Sequence, residues 1–228
     1  ETRDWRTVRA RVDRIAGALA ARGVDCGDRV AILALNGPHY LEIGCAVARL
    51  GAILQPMNMR LSAPELRHQV DDAGPVLLFT SAALEDLARA AAPDVPRIRI
   101  EPGPGTKTLD DLIAGAAPIE DLAAVAGDDV LGIFYTSGTT GVPRGVMLTH
   151  QGVFANAALL IPAVGYCADD VSLHVAPMFH VADFCASFAQ LMAGGRHAFV
   201  PRFEPEVVLG AVERHRVTNM ILIPAMIQ

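Results

Sequence analysis

Short apolar runs alternate with amphipathic stretches along most of this chain, and that alternation limits the fold more than any other feature. Strand-sized runs at 29–35, 52–54, 76–80, 130–135, 146–148, 172–176, 197–200 and 218–223 are separated by helical patterns. The clearest helical patterns lie at 4–21, 39–50, 62–73, 81–92, 181–192 and 204–215, with a further helix starting at Thr149. Strands alternating with helices of about 10 to 15 residues form βαβ units, because two parallel strands need a crossover between them. The expected fold is therefore α/β, with two lobes of mainly parallel sheet flanked by helices. Punctuation agrees with this reading. Gly23, Gly51 and Gly74 follow helical segments, Asn36-Gly37-Pro38 closes a strand, and Ser62 with Glu65 makes an S-x-x-E capping box. The Pro- and Gly-rich stretch 101–105 and the weakly patterned residues up to 127 read as surface connection. The expected lobes are 1–115 and 116–228.

Composition removes several classes. With 228 residues, 52% hydrophobic and 19% charged, the chain can bury a core and is not disordered. No apolar run is long enough for a membrane-spanning helix. A formal charge of -6 excludes a nucleic-acid binder working through a broad basic field. The local run Arg3, Arg6, Arg9, Arg11, Arg14 is interleaved with Val8, Val12, Ile15 and Leu19 at helical spacing, which places the arginines on the wet faces of an amphipathic helix. Four widely spaced cysteines, Cys26, Cys45, Cys167 and Cys185, read as reduced, mostly buried thiols of a cytoplasmic protein. The chain opens at Glu1 with neither a methionine nor the regions of a signal peptide. It stops just after the apolar residues 220–223, as a piece of a longer protein would.

The densest signal is Tyr135-Thr136-Ser137-Gly138-Thr139-Thr140-Gly141-Val142-Pro143-Arg144-Gly145-Val146. Its glycines allow positive φ and close approach to a ligand, while its hydroxyls and the guanidinium of Arg144 are donors. Backbone N–H groups and hydroxyls in a concave turn make an anion nest, suited to a phosphate chain. A flexible linker has a similar composition. Flanking strands, the stiff Pro143 and the irregular glycine spacing speak against that. Neither the G-x-x-x-x-G-K-[ST] nor the G-x-G-x-x-G pattern is present in it.

This stretch resembles the signature loop of the adenylate-forming superfamily, which includes acyl-CoA synthetases, amino-acid adenylation domains and beetle luciferases. The resemblance extends in order through Gly23-Val24, Gly27-Asp28-Arg29-Val30-Ala31-Ile32, Arg49-Leu50-Gly51-Ala52 and Asn58-Met59-Arg60-Leu61. It continues through Pro177-Met178-Phe179-His180-Val181 and from Val217-Thr218 to Ile223-Pro224. It implies the N-terminal domain of an AMP-forming acyl-CoA synthetase, incomplete and without its C-terminal domain. It also implies a two-step ligase using ATP, Mg²⁺ and coenzyme A: a carboxylate attacks the α-phosphate, and a thiol then displaces AMP. By resemblance Thr136, Ser137, Gly138, Thr139, Thr140, Gly141 and Arg144 bind the nucleotide, and Thr136 helps to place the magnesium ion. Thr136, Arg144 and His180 take part in catalysis. The family usually has Lys at the position of Arg144, and a planar fork is not equivalent to a point charge.

His180 narrows the substrate. Enzymes of this type that act on fatty or aryl acids have a His at this point, whereas amino-acid adenylation domains tend to have an Asp that binds the α-ammonium group. With Val181, Ala182, Phe184, Cys185 and Ala186 following, the expected partner is an amine-free hydrophobic carboxylic acid. Asp183 reads as a solvated or capping residue, His150 as a helix-start residue, and His174 as unrelated to any metal site. The adenine- and ribose-binding segments and the catalytic Lys of the family would lie beyond Gln228, so the 228-residue chain alone is expected to be inactive. Alternatives are a non-catalytic truncated homologue that holds a nucleotide or acyl group, and an amino-acid adenylation domain. A homo-oligomer is left open.

Overall fold

The apolar runs become buried strands wherever helices cover both of their faces. The structure, a computed structural model, describes residues 2–102, 107–120, 123–136 and 143–227. They fall into two compact units: Glu1–Ala34 with Leu41–Thr149, and Leu35–Tyr40 with His150–Gln228.

The first unit holds β1 (Arg29–Leu33), β2 (Ile53–Pro56), β3 (Leu77–Thr80), β4 (Arg97–Arg99), β5 (Val130–Thr136) and β6 (Arg144–Thr149). They form one six-stranded sheet in the order β4-β3-β1-β2-β5-β6. Every neighbouring pair is parallel except β5 and β6, which run antiparallel. The helices are α1 (Trp5–Ala20), α2 (Pro38–Arg49), α3 (Ala63–Ala73), α4 (Glu85–Ala91) and α5 (Leu109–Ala114). At the centre, Val30, Ala31, Ile32 and Leu33 of β1 and Phe79 of β3 are fully buried, as expected for parallel strands covered on both faces. The Ser62–Glu65 capping box forms, and Gly74 closes α3 at φ 59°, a conformation that favours glycine.

Asp4 caps α1, accepting from the Thr7 N–H at 2.7 Å, and Val12, Ile15, Ala16 and Leu19 are buried along one face. The arginines are not all on wet faces, however. Arg3 and Arg11 place guanidinium nitrogens 2.6 and 2.8 Å from Oε1 of Glu42, whose side chain is only 1% exposed. A buried carboxylate needs charged partners, and Glu42 of α2 takes two of the five arginines; Arg6, Arg9 and Arg14 stay exposed.

Residues 107–120 and 123–127 after β4 are tied down more than a plain surface connection, while 103–105 lie outside the described residues. Thr108 and Asp111 form a capping box that opens α5. Beyond it, Ile119 N–H donates to Asp13 O at 2.9 Å and Ala123 N–H to Arg49 O at 3.0 Å. Gly17 of α1 is a point of close approach, since a Cβ there would collide with the Ala117 carbonyl oxygen. β5 lies beside β2, so the strands flanking the Ser/Thr/Gly run belong to the first unit and the division falls at Thr149.

The second unit holds α6 (His150–Val164), β7 (Val171–His174), α7 (Val181–Met192), β8 (Arg196–Phe199), α8 (Pro205–His215) and β9 (Asn219–Met220). Its parallel sheet has the order β8-β7-β9. Val171, Leu173, Val175, Ala198, Val200, Val208 and Ala211 make its core. β9 is shorter than the 218–223 run implies, because its ladder to β7 contains only Ser172↔Asn219 and Leu173↔Met220.

The cysteines are free, but Cys26 and Cys167 are exposed and only Cys45 and Cys185 partly covered. Cys26 sits in the turn before β1 between Asp25 and Gly27, and Cys167 in the connection between α6 and β7, where the backbone runs over the surface. Burial pushes the Cys45 thiol up to about 11 and raises that of Cys185 as well. Among the described residues no helix is long and apolar enough to cross a membrane.

Candidate active site

The Ser/Thr/Gly run is carried between two antiparallel strands. β5 and β6 pair through Phe134↔Val146, Tyr135↔Gly145 and Thr136↔Arg144. Thr136 and Arg144 therefore stand opposite one another at the last rung, and both are exposed. The structure brings these two residues together; Ser137, Gly138, Thr139, Thr140 and Gly141 lie outside the described residues.

Side-chain fit shapes the rung before that last one, Tyr135↔Gly145. The Tyr135 hydroxyl donates to Asp72 Oδ2 on α3 at 2.6 Å. Burial and the Asp72 carboxylate raise its pKa well above the usual phenol value, so Tyr135 keeps its proton. A Cβ on Gly145 would stand 2.7 Å from Ile133 Cγ2 and 3.3 Å from the Tyr135 ring. Glycine at 145 is thus what lets the cross-strand tyrosine lie flat over β6.

His180 belongs to the second unit, at the turn between β7 and α7. It is exposed and is the N-cap of α7 at φ -92° and ψ 140°, with Nδ1 accepting from the Ala182 N–H at 3.2 Å. With Nδ1 used as acceptor, a neutral ring carries its hydrogen on Nε2. That atom is a donor suited to a carboxylate or phosphoryl oxygen.

Two buried polar groups hold this turn, and neither is evident in the residue pattern. Asn36, 6% exposed, donates through Nδ2 to Ala176 O at 2.8 Å and His174 O at 3.4 Å. Its Oδ1 accepts from the Met178 N–H at 2.9 Å. Asp183, 2% exposed, is not solvated: its Oδ2 is 2.8 Å from His174 Nδ1. The carboxylate accepts, so His174 Nδ1 bears the hydrogen. On the other side of the ring, His174 Nε2 is 2.8 Å from His197 Nδ1, and the two share a further hydrogen. The two imidazoles are nearly coplanar, and His174 also stacks on Phe199 with centroids 4.8 Å apart. Burial, and secondarily His174, push His197 down to about 3, so it is neutral near pH 7. A histidine inside the apolar run 171–176 was the available signal, because a buried imidazole requires partners. Asn36, read as a turn residue, gives no such signal.

The hydroxyl of Thr136 and the guanidinium of Arg144 fit an anionic phosphate chain, one as a neutral donor and one as a charged fork. Among the described residues no group of three or more His, Cys, Asp or Glu is arranged to hold a metal ion. Mg²⁺ keeps waters and phosphate oxygens as ligands. Among the described residues, the exposed Thr136 hydroxyl would offer one oxygen to a magnesium ion carried in by the phosphates.

Comparison with known proteins decides the family. The model of the AMP-binding enzyme family matches residues 1–228. The chain belongs to that family. It is 39% identical over 220 residues to a feruloyl-CoA synthase of Amycolatopsis sp, covering 96% of this chain and 43% of the relative. It is 32% identical over 226 residues to a long-chain-fatty-acid–CoA ligase of Mycobacterium tuberculosis, covering 96% and 44%. The fold superposes on ATP-bound MatB from Rhodopseudomonas palustris with a TM-score of 0.85 at 32% identity, covering 97% of this chain and 44% of that one. The chain thus spans less than half the length of the curated relatives it matches.

Proposed function

We propose that the protein containing this chain is an AMP-forming acid–thiol ligase for an amine-free, hydrophobic fatty or aryl acid. The carrying observation is the rung that sets Thr136 opposite Arg144, with the Ser/Thr/Gly run between them. In the first step a carboxylate oxygen bonds to the α-phosphorus of ATP, the bond to the bridging oxygen breaks, and pyrophosphate leaves. In the second, the coenzyme A sulfur bonds to the acyl carbon, the acyl–oxygen bond breaks, AMP leaves, and the thiol proton passes to solvent.

The chain's residues address the electrostatic cost of the first step. Two unit anions at 4 Å repel by about 4 kcal/mol at an effective dielectric near 20. Arg144 and Thr136, with Ser137, Gly138, Thr139, Thr140 and Gly141, hold the phosphates and offset that repulsion, and His180 donates from Nε2 to the acyl carboxylate. Magnesium, when bound with ATP, screens phosphate charge, and Thr136 is the residue here that would touch it. The acid class is supported by Asp183. It is the only acid within the first turn of α7, residues 181–184, and it is buried against His174, so it is committed and cannot receive an α-ammonium group. The likeness to enzymes named for ferulate and for long-chain fatty acids supports both aryl and alkyl chains as candidates. Burial-raised thiols at Cys45 and Cys185 suit a reducing, cytoplasmic setting. The 228-residue chain by itself performs little or no turnover on this reading.

The test is ATP–pyrophosphate exchange by the full-length protein with fatty, aryl and amino acids. Exchange stimulated by fatty or aryl acids and not by amino acids is expected. Stimulation by amino acids alone, or by no acid, would overturn the reading.

A further inference from the structure

We infer that Asn36 and Asp183 are positioning residues that act on the acid-activation step through His180, by holding the β7–α7 turn from both ends. The inference rests on the proposed role of His180. The turn has little regular backbone pairing of its own: between His174 and Val181 the described backbone bonds are Val200 N–H to His174 O at 3.4 Å, His180 N–H to Pro177 O at 2.9 Å and, into α7, Phe184 N–H to His180 O at 3.1 Å. Asn36 supplies what is missing, with bonds to His174 O, Ala176 O and Met178 N–H. Its own N–H donates to Pro201 O at 3.3 Å, which ties this clamp to the residues after β8.

Asp183 fixes the other end. It sits three residues after His180, in the first turn of α7, and ties that turn to β7 through His174 and onward to β8 through His197. Ser187 Oγ donates to the Asp183 carbonyl at 2.8 Å, holding the same turn from the next one. The N-cap bond from Ala182 N–H fixes the His180 ring relative to α7, so wherever the first turn of α7 is held, Nε2 of His180 is held. Asn36, His174, Asp183 and Ser187 are all buried. They cannot touch a substrate directly, and their effect must pass through the turn.

A double-mutant cycle in the full-length protein tests this. Acid-dependent pyrophosphate exchange is measured for Asp183→Ala, His180→Ala and the double variant, with circular dichroism as a check on folding. Asp183→Ala is expected to lower kcat by about tenfold while KM for ATP stays within about twofold, because misplacing a reacting group costs rate. Asp183→Asn, which keeps an oxygen acceptor for His174 Nδ1–H, is expected to recover most of the rate. On a His180→Ala background, Asp183→Ala is expected to change the rate by less than about twofold. If Asp183→Ala does not fold, Asn36→Asp takes its place in the cycle, since it keeps the acceptor for Met178 N–H and loses the donor to Ala176 O. Equal losses in both backgrounds would show a merely structural role and overturn the inference. So would a full rate in Asp183→Ala when His180→Ala is impaired, which leaves the reading of His180 standing. An unimpaired His180→Ala removes that reading and the inference together.

Discussion

The two regions that carry the candidate residues are built by opposite means. The β5–β6 hairpin sets Thr136 against Arg144 through main-chain pairing, with exposed functional side chains. The β7–α7 turn instead hangs on the buried side chains Asn36, His174 and Asp183, with half-buried His197 behind them. The ladder constrains Gly145 but not the exposed Thr136 and Arg144 side chains, so the hairpin can change those two residues cheaply. A turn held by buried polar groups cannot, because each lost partner leaves another group unsatisfied in the interior.

The largest expected effect follows directly. Asn36→Ala orphans the Ala176 carbonyl and the Met178 N–H, at about 2 kcal/mol each, so urea unfolding should show a loss of about 4 kcal/mol. A loss comparable to that of an ordinary surface change would break the contrast between the two regions.

Acid sharpens the contrast next. His197 is held neutral to about pH 3 by burial and by His174, with Asp183 beyond His174 and Phe199 stacked beside both. An unfolded histidine takes its proton near pH 6.5. Between those values the unfolded chain binds more protons, so stability falls as pH falls, by up to about 1.4 kcal/mol per unit for this group. Urea titrations at pH 7, 6 and 5 should show a shallower acid loss in His197→Gln than in the unaltered chain.

Arg144→Ala should do the reverse of Asn36→Ala, raising KM for ATP in the full-length protein by about tenfold, the scale of one charge-assisted bond. Its unfolding free energy should move by less than about 0.5 kcal/mol, and Arg144→Lys should recover part of the affinity. The smallest effect is expected for Tyr135→Phe. The lost bond to Asp72 lies at the surface, and thermal unfolding should register about 0.5–1 kcal/mol.

The same contrast explains what could be read from residues alone. Main-chain features with local signatures were legible: the Ser62–Glu65 box, the Gly74 stop, the helix Val181–Met192, and the strands around the Ser/Thr/Gly run. The alternation also gave the parallel sheet, apart from the antiparallel β5–β6 pair. Long-range choices were not legible. Nothing near Asn36 signals a bond to residues 138 to 142 positions away. The sheet that β5 joins was not legible either, since its neighbour is Leu54 of β2 and nothing in its own residues names that strand. Asp183 looked like a surface acid because its partner lies on a different element, strand β7. Arg3 and Arg11 looked wet because Glu42 is a whole helix away.

The central claim is that a carboxylate oxygen attacks the α-phosphate of ATP, and oxygen-isotope transfer tests it most directly. The full-length protein would be given ATP, coenzyme A and a fatty or aryl acid labelled with heavy oxygen in both carboxyl positions, and the products analysed by mass spectrometry. The account predicts one heavy oxygen in AMP and one retained in the thioester. Heavy oxygen in inorganic phosphate, with ADP as the nucleotide product and none in AMP, would contradict it.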